Sequence, residues 1–183
     1  MDLKIISILD EQVAVSFTGK VNVLSNFNHQ FLGHVLFKNG DVVAVRFNGQ
    51  EGLKALSQFF MQEFSLQSFQ YVIEPEVVEA SVRQIHLSYQ ELKNKMAEVL
   101  KLYQLSAKNR PPDNVKIIVD AEFLEDSLPV TAQEFEVLAT LSEWNNPYDI
   151  YQHCPLLDHE ITAALVSLRK KSALKIIASG NNP

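Results

Sequence analysis

The stretch QFLGHVLFKNGDVVAVRF, Gln30 to Phe47, decides the fold of the N-terminal half. From Gln30 to Lys38 the side chains alternate. Phe31, Gly33, Val35 and Phe37 fall on one face, Leu32, His34 and Leu36 on the other, the period of two that marks a strand. Asn39-Gly40 follows, and both residue types tolerate the positive φ of a type I′ turn, so the chain reverses there. Asp41–Phe47 returns as the partner strand.

Working outward, Lys20–Ser25 adds a strand with Val21 and Val23 on one face, joined to the hairpin by a turn around Asn26 and Asn28. Before it, Asp2 is expected to cap a short helix carrying Leu3, Ile6 and Leu9 or Val13 inward. After Asn48-Gly49 the period becomes 3.6: Leu53, Leu56, Phe59 or Phe60, and Phe64 predict a helix over Gln50–Glu63. Ser65–Ile73 alternates again through Leu66, Phe69, Tyr71 and Ile73. Residues 1–75 therefore read α-β-β-β-α-β, an α+β domain built as an antiparallel sheet backed by helices.

Beyond Pro75, Val78, Val82, Ile85, Tyr89, Leu92, Met96, Val99 and Tyr103 are spaced alternately four and three. That a/d pattern predicts a long helix and linker over 76–112, the helix about 30 residues long and so a rod of roughly 45 Å at 1.5 Å per residue. The flanking positions carry no complementary charge code, so a homodimer through 78–103 and intramolecular packing both stand open. Leu100, Leu102 and Leu105 widen the apolar face where docking on a domain is expected, and Pro111-Pro112 ends the segment.

Residues 113–183 read as a small, mostly helical domain. Val115–Val119 is a short strand. Thr131-Ala-Gln-Glu134 is a capping box opening a helix with Phe135, Leu138 and Leu141 inward. Asn146-Pro147 opens a second helix through Gln152, with proline at its first position. Asp158 is expected to cap a third, carrying Ile161, Leu165 and Leu168 and ending in Arg169-Lys170-Lys171. Ala173–Ala178 is a final strand and Ser179–Pro183 a frayed end. Three short helices and a strand follow the order of a winged-helix or helix-turn-helix domain.

Composition bounds the function. The chain of 183 residues carries 16 basic and 22 acidic side chains, a formal −6, and one cysteine, Cys154, which excludes an internal disulfide. No apolar run approaches the roughly 20 residues of a membrane helix, and the start lacks a basic leader; a cytoplasmic protein without membrane insertion is expected. The charge is segregated: net −4 over residues 1–80, +4 over 81–112 and −6 over 113–183. The acidic ends disfavour nucleic acid as their partner.

Chemical motifs are sparse. Gly49-Gln-Glu-Gly52 has two glycines and a glutamate where phosphate would sit, so it reads as a strand-to-helix turn. His153, Cys154, Asp158 and His159 form the one dense cluster of metal-capable residues, but Pro155-Leu-Leu157 separates them. His29 and His34 are expected on opposite faces. In the third helix, Asp158-His159-Glu160 stands where a DNA reader meets phosphates, while Arg169, Lys170, Lys171 and Lys175 lie at its far end and read as a solvated terminus. No catalytic, cofactor or metal residue is expected, and none is assigned.

The segment Asp2–Ile73 resembles the PATAN domain, a bacterial family named for the N-terminal region of a cyanobacterial pattern-formation regulator. The matching words are Phe17-Thr-Gly-Lys-Val21, Gly33-His-Val-Leu-Phe37, Asn39-Gly40-Asp-Val-Val-Ala44, Gly52-Leu-Lys-Ala-Leu56 and Phe69-Gln-Tyr71. The family's strand before the first helix is missing here. The resemblance implies a non-catalytic signalling module, followed by a long helix and a winged-helix-like tail resembling Val130–Ile177. It implies partners among receiver-domain proteins, motility machinery and regulators of Ras-like GTPases.

The sequence thus predicts a non-enzymatic adaptor in bacterial intracellular signalling that needs no cofactor. A DNA-binding regulator or a small-ligand sensor are the alternatives. Two adjacent aromatic side chains cannot share one core line, so Phe59 or Phe60, with Met61, is expected to contribute a contact surface on the Gly52–Phe64 helix. Leu92, Met96 and Val99 are expected to contribute a second along the heptad seam.

Overall fold

The structure, a computed structural model, describes residues 3–65, 68–79, 81–125 and 129–178. The chain forms two compact units, Met1–Lys101 and Leu102–Pro183.

In the first unit, helix α1 (Lys4–Ala14) precedes strands β1 (Gly19–Ser25), β2 (Phe31–Lys38), β3 (Asp41–Phe47) and the two-residue β4 (Gln50–Glu51). Helix α2 (Gly52–Phe64) and strand β5 (Phe69–Pro75) follow. The five strands make one antiparallel sheet in the order β4-β3-β2-β1-β5, with Val21 opposite both Val35 and Ile73, and Val35 opposite Val45. The α+β class is as the sequence predicts. The hairpin forms as read: Asn39 and Gly40 have φ of 51° and 83°, and Phe17 O and Thr18 Oγ1 accept from their amides at 2.9 Å. Gly49 and Gly52, φ 80° and 63°, turn the chain into α2.

Gly33, Val35 and Phe37 are buried, as the alternation requires. Leu36, on the opposite face, is buried as well, in a cluster with Val43, Ala44 and Val78. That second face is covered by residues 76–79 and 81–88, none of them helical. The segment crosses the sheet as a strap: the amides of Gln84 and Ile85 both donate to Val43 O, at 2.8 and 3.0 Å, and Ile85 is 1% exposed.

This corrects the long helix. Helix α3 spans Tyr89–Ser106 only, followed by a 3₁₀ turn, Ala107–Asn109. Its start is fixed locally: the Ser88 amide and hydroxyl donate to the Glu91 carboxylate at 2.8 and 2.6 Å, and the Glu91 amide donates back to Ser88 Oγ at 3.3 Å. That capping box satisfies two of the amides left open at the first turn, so the helix has a defined start at Tyr89. The Tyr89 hydroxyl and Lys93 Nζ then donate to Asp10 at 2.7 and 2.9 Å, bonds that hold the Asp10 carboxyl below its ordinary range.

Ile5 and Leu9 face inward from α1, with Ile6 half-buried. Asp2, Leu66 and Ser179–Pro183 lie outside the described residues.

The second unit contains β6 (Val115–Val119), α4 (Ala121–Glu125), α5 (Ala132–Leu141), α6 (Pro147–His153), α7 (Asp158–Lys170) and β7 (Leu174–Ala178). β6 pairs antiparallel with β7, and Ile117, Val137, Ile150, Ile161 and Leu168 lie at the centre of the core they share with the helices. The Thr131 capping box forms, and Asn146 Oδ1 accepts from the Asp149 amide with Pro147 at the first helical position. Two expectations fail. Phe135 is 61% exposed, because Glu134 turns inward instead, with Lys171 Nζ donating to its carboxylate at 2.7 Å. Asp158 does not cap α7: Leu157 is the cap residue, its amide donates to Glu160 Oε2 at 2.9 Å, and Asp158 accepts from Arg110.

Candidate functional site

The contact residues expected from sequence are interior. Phe59, Phe60 and Met61 are 0%, 3% and 5% exposed, and Leu92, Met96 and Val99 are 1–2% exposed. Positions 59 and 60 differ by only about 100° around a helix, and α2 is buried through Lys54–Ser57 and Phe59–Met61, nearly its whole circumference. Phe59 stacks on Phe47 at 4.9 Å and meets Phe69 edge-on at 5.4 Å. The seam of α3 is likewise closed within the chain, so neither set presents a surface to a second copy or a partner.

The metal-capable cluster is dispersed. His153 stacks on Trp144 at 4.2 Å, Cys154 is fully buried, and Asp158 accepts from Arg110. Among the described residues no group of three or more His, Cys, Asp or Glu could hold a metal ion. His29 Nδ1 lies 2.8 Å from Gln70 Oε1. His34 sits half-buried in a shallow cleft on the sheet with Lys20, Asn22, Glu74 and Glu76. Burial first, then the charges of Arg46 and Lys20, lowers its pKa and favours the neutral ring.

The site that sequence reasoning did not assemble lies in the second unit. A cleft of about 550 Å³ has an apolar floor of Ile117, Leu165, Val166, Leu174 and Ile176. Its wall carries Lys108 and Arg110 from the segment after α3, and Arg169 and Lys170 from the last turn of α7. Among the described residues no carboxylate lines it. The unit holds seven basic and eleven acidic side chains, a net −4, so four of its seven cations share one concavity. Arg110 is paired with Asp158, and where the other three cluster the local field attracts an anion despite the net charge.

Geometry explains which cations remain available. Lys171 is turned away, donating to Glu134 and to Pro129 O, and Lys175 pairs with Asp120 at 2.7 Å. Arg110 lies over the Tyr151 ring at 3.8 Å and donates to Asp158 at 3.1 Å, which fixes its position at the rim. Burial pushes the Tyr151 phenol up to about 12, so the ring stays neutral under that cation. Lys108, Arg169 and Lys170 have no ion pair among the described residues. Exposed ammonium and guanidinium groups around apolar floor suit a ligand with both negative charge and apolar surface.

A second groove of about 410 Å³ continues from this cleft, sharing Asn109, Val166 and Lys170 with it. It runs between the end of α3, through Leu102 and Leu105, and α7, through Thr162 and Ala163. Leu102 and Leu105 are 36% and 63% exposed, so the apolar face expected to dock here is open on this side.

No protein-family model, no curated protein and no solved structure matches the chain. Among the described residues no helix is long and apolar enough to cross a membrane.

Proposed function

We propose that the protein is a non-enzymatic adaptor of bacterial intracellular signalling, acting in the cytoplasm by protein–protein contact. Its C-terminal unit docks an acidic, apolar-anchored segment of a partner. One observation carries this reading: the gathering of Lys108, Arg110, Arg169 and Lys170 around an apolar floor. A small inorganic anion would leave that floor wet. A nucleic acid would meet the net −4 of the unit as a whole, which disfavours it. A protein segment that offers carboxylates beside an apolar side chain uses both parts of the site. The resemblance of Asp2–Ile73 to the PATAN domain supports the signalling setting, with receiver-domain proteins, motility proteins or small-GTPase regulators as the partner class.

A photo-crosslinking residue at Ala163, exposed beside the cleft, tests this in the native host. The expected adduct is one defined protein, lost on Lys108→Glu with Lys170→Glu and absent when the crosslinker replaces the exposed Phe27. A nuclease-sensitive adduct would instead establish the DNA-binding alternative. A large thermal stabilisation by a nucleotide or a divalent metal would overturn the adaptor reading in favour of a ligand sensor.

A further inference from the structure

We infer that the segment received by the C-terminal unit is an amphipathic α-helix of a partner protein, with glutamates or aspartates flanking its apolar stripe; this rests on the adaptor reading above. The cleft and the groove form one trough, because Asn109, Val166 and Lys170 line both. Its long sides are two helical segments, Leu102–Asn109 at the end of α3 and Thr162–Lys170 on α7.

Helical walls decide the form of the occupant. The backbone amides of both walls donate within their own helical turns, so an extended strand laid in the trough finds no ladder of alternating donors and acceptors to join. A helix brings its own hydrogen bonds and needs only side-chain packing. Thr162–Lys170 spans about 12 Å at 1.5 Å per residue, which two turns of a facing helix match. The half-open Leu102 and exposed Leu105 and Ala163 supply ridges for apolar side chains at i, i+3, i+4 and i+7.

Charge fixes the other half of the match. Lys108, Arg169 and Lys170 stand at one end of the trough, and among the described residues no carboxylate lines either part of it. An acidic flank on the incoming helix is therefore attracted, whereas a basic amphipathic helix of equal apolar surface is repelled. The trough discriminates by charge sign at constant hydrophobicity.

The test uses the full chain and three fluorescent peptides of about 16 residues. One is helical, with leucines at i, i+3, i+4 and i+7 and glutamates flanking them. The second replaces every glutamate by lysine. The third keeps the first composition but carries two central prolines, which bar the helix. Anisotropy at low salt is expected to show binding of the first peptide and about tenfold or greater weakening for the other two. Leu105→Glu and Lys170→Glu should each weaken the first peptide severalfold while the melting temperature of the protein shifts by no more than about 4 °C. Failure of the acidic helix to bind, equal binding of the proline peptide, or indifference to Leu105→Glu overturns the inference. If the peptides fail while Ala163 still crosslinks to a protein, the helical occupant falls and the adaptor reading stands.

Discussion

Arg110 is stacked on Tyr151: the guanidinium carbon lies 3.8 Å from the ring centroid while Nη1 donates to Asp158 at 3.1 Å. The Asp158 side chain is only 9% exposed. Arg110→Ala removes the cation from above a buried ring and one partner from a nearly buried carboxylate. It should cost about 1–3 kcal/mol in urea unfolding. Arg110→Lys keeps the charge but not the flat stack, and should stay about 1 kcal/mol below wild type. A double cycle with Asp158→Asn that returns no coupling would show the pair to be ornamental.

Glu134 gives the protein a measurable acid limb. Burial alone would raise its carboxyl. Hydrogen bonds from Lys171 Nζ, the Thr131 amide and Ser167 more than offset that and hold it at about 2, below its ordinary value of 4.5. Because the folded-state pKa is depressed, the stabilisation is present in full above the ordinary carboxyl value and is lost as pH falls toward 2. Glu134→Gln should flatten unfolding free energy against pH within that window and lower stability at pH 7. Thr131→Ala, which removes only the cap, should cost about 1 kcal/mol at every pH.

Gly33 is required by a close approach. A Cβ there would stand 2.0 Å from Arg46 O on the neighbouring strand, beside the register shift between Val23 and Leu24. Gly33→Ala should therefore cost about 1–3 kcal/mol as overpacking against backbone. At Gly52 nothing lies within 4 Å of an added Cβ, and only its φ of 63° resists a side chain. Gly52→Asn, which tolerates that conformation, should be nearly neutral in the same melting experiment.

These contrasts show what the sequence displays and what it hides. The period of two and Asn39-Gly40 placed β3 at Asp41–Phe47 to the residue, since alternation and turn chemistry are both local. The same local logic misled at 76–88. Val78 and Ile85 fall in heptad phase with Leu92 and Met96, yet their apolar side chains are buried as a strap on the sheet, and spacing alone does not separate the two uses. The capping signature Ser88-Tyr-Gln-Glu91 was present and marks the true start of α3. For Phe135, the deciding partner is Lys171, 37 positions beyond Glu134, which pulls the neighbouring carboxylate inward and leaves the ring outside. The basic cleft was illegible for the same reason: Lys108 and Arg110 meet Arg169 and Lys170 only through the fold of the second unit, and no local pattern announces the meeting.

Met96 distinguishes a buried seam from a dimer interface. It is 1% exposed, between Leu92 and Val99, which are equally buried. Were the seam a contact between copies, Met96→Glu would yield a stable monomer. Placed inside the chain, the new carboxylate is cut off from water. Met96→Glu should cost about 3 kcal/mol or more and lower the unfolding midpoint at all protein concentrations. Light scattering of the wild type should show no change of mass that Met96→Glu reverses.

Lys170 provides the opposite case, a charge whose reversal the fold should not feel. It is exposed at the last turn of α7 and has no ion pair among the described residues. A cation there gains only from the carbonyl end of the helix, worth about 0.3–1 kcal/mol at low salt and less when screened. Lys170→Glu should thus shift unfolding by at most about 1 kcal/mol, and by about half of that or less at 0.5 M salt, where the Debye length has shrunk to about 4 Å. Arg169→Glu should behave alike. If either variant unfolds the second unit, these cations hold the structure together, and weaker partner capture by the charge-reversed cleft would report lost folding instead of lost recognition.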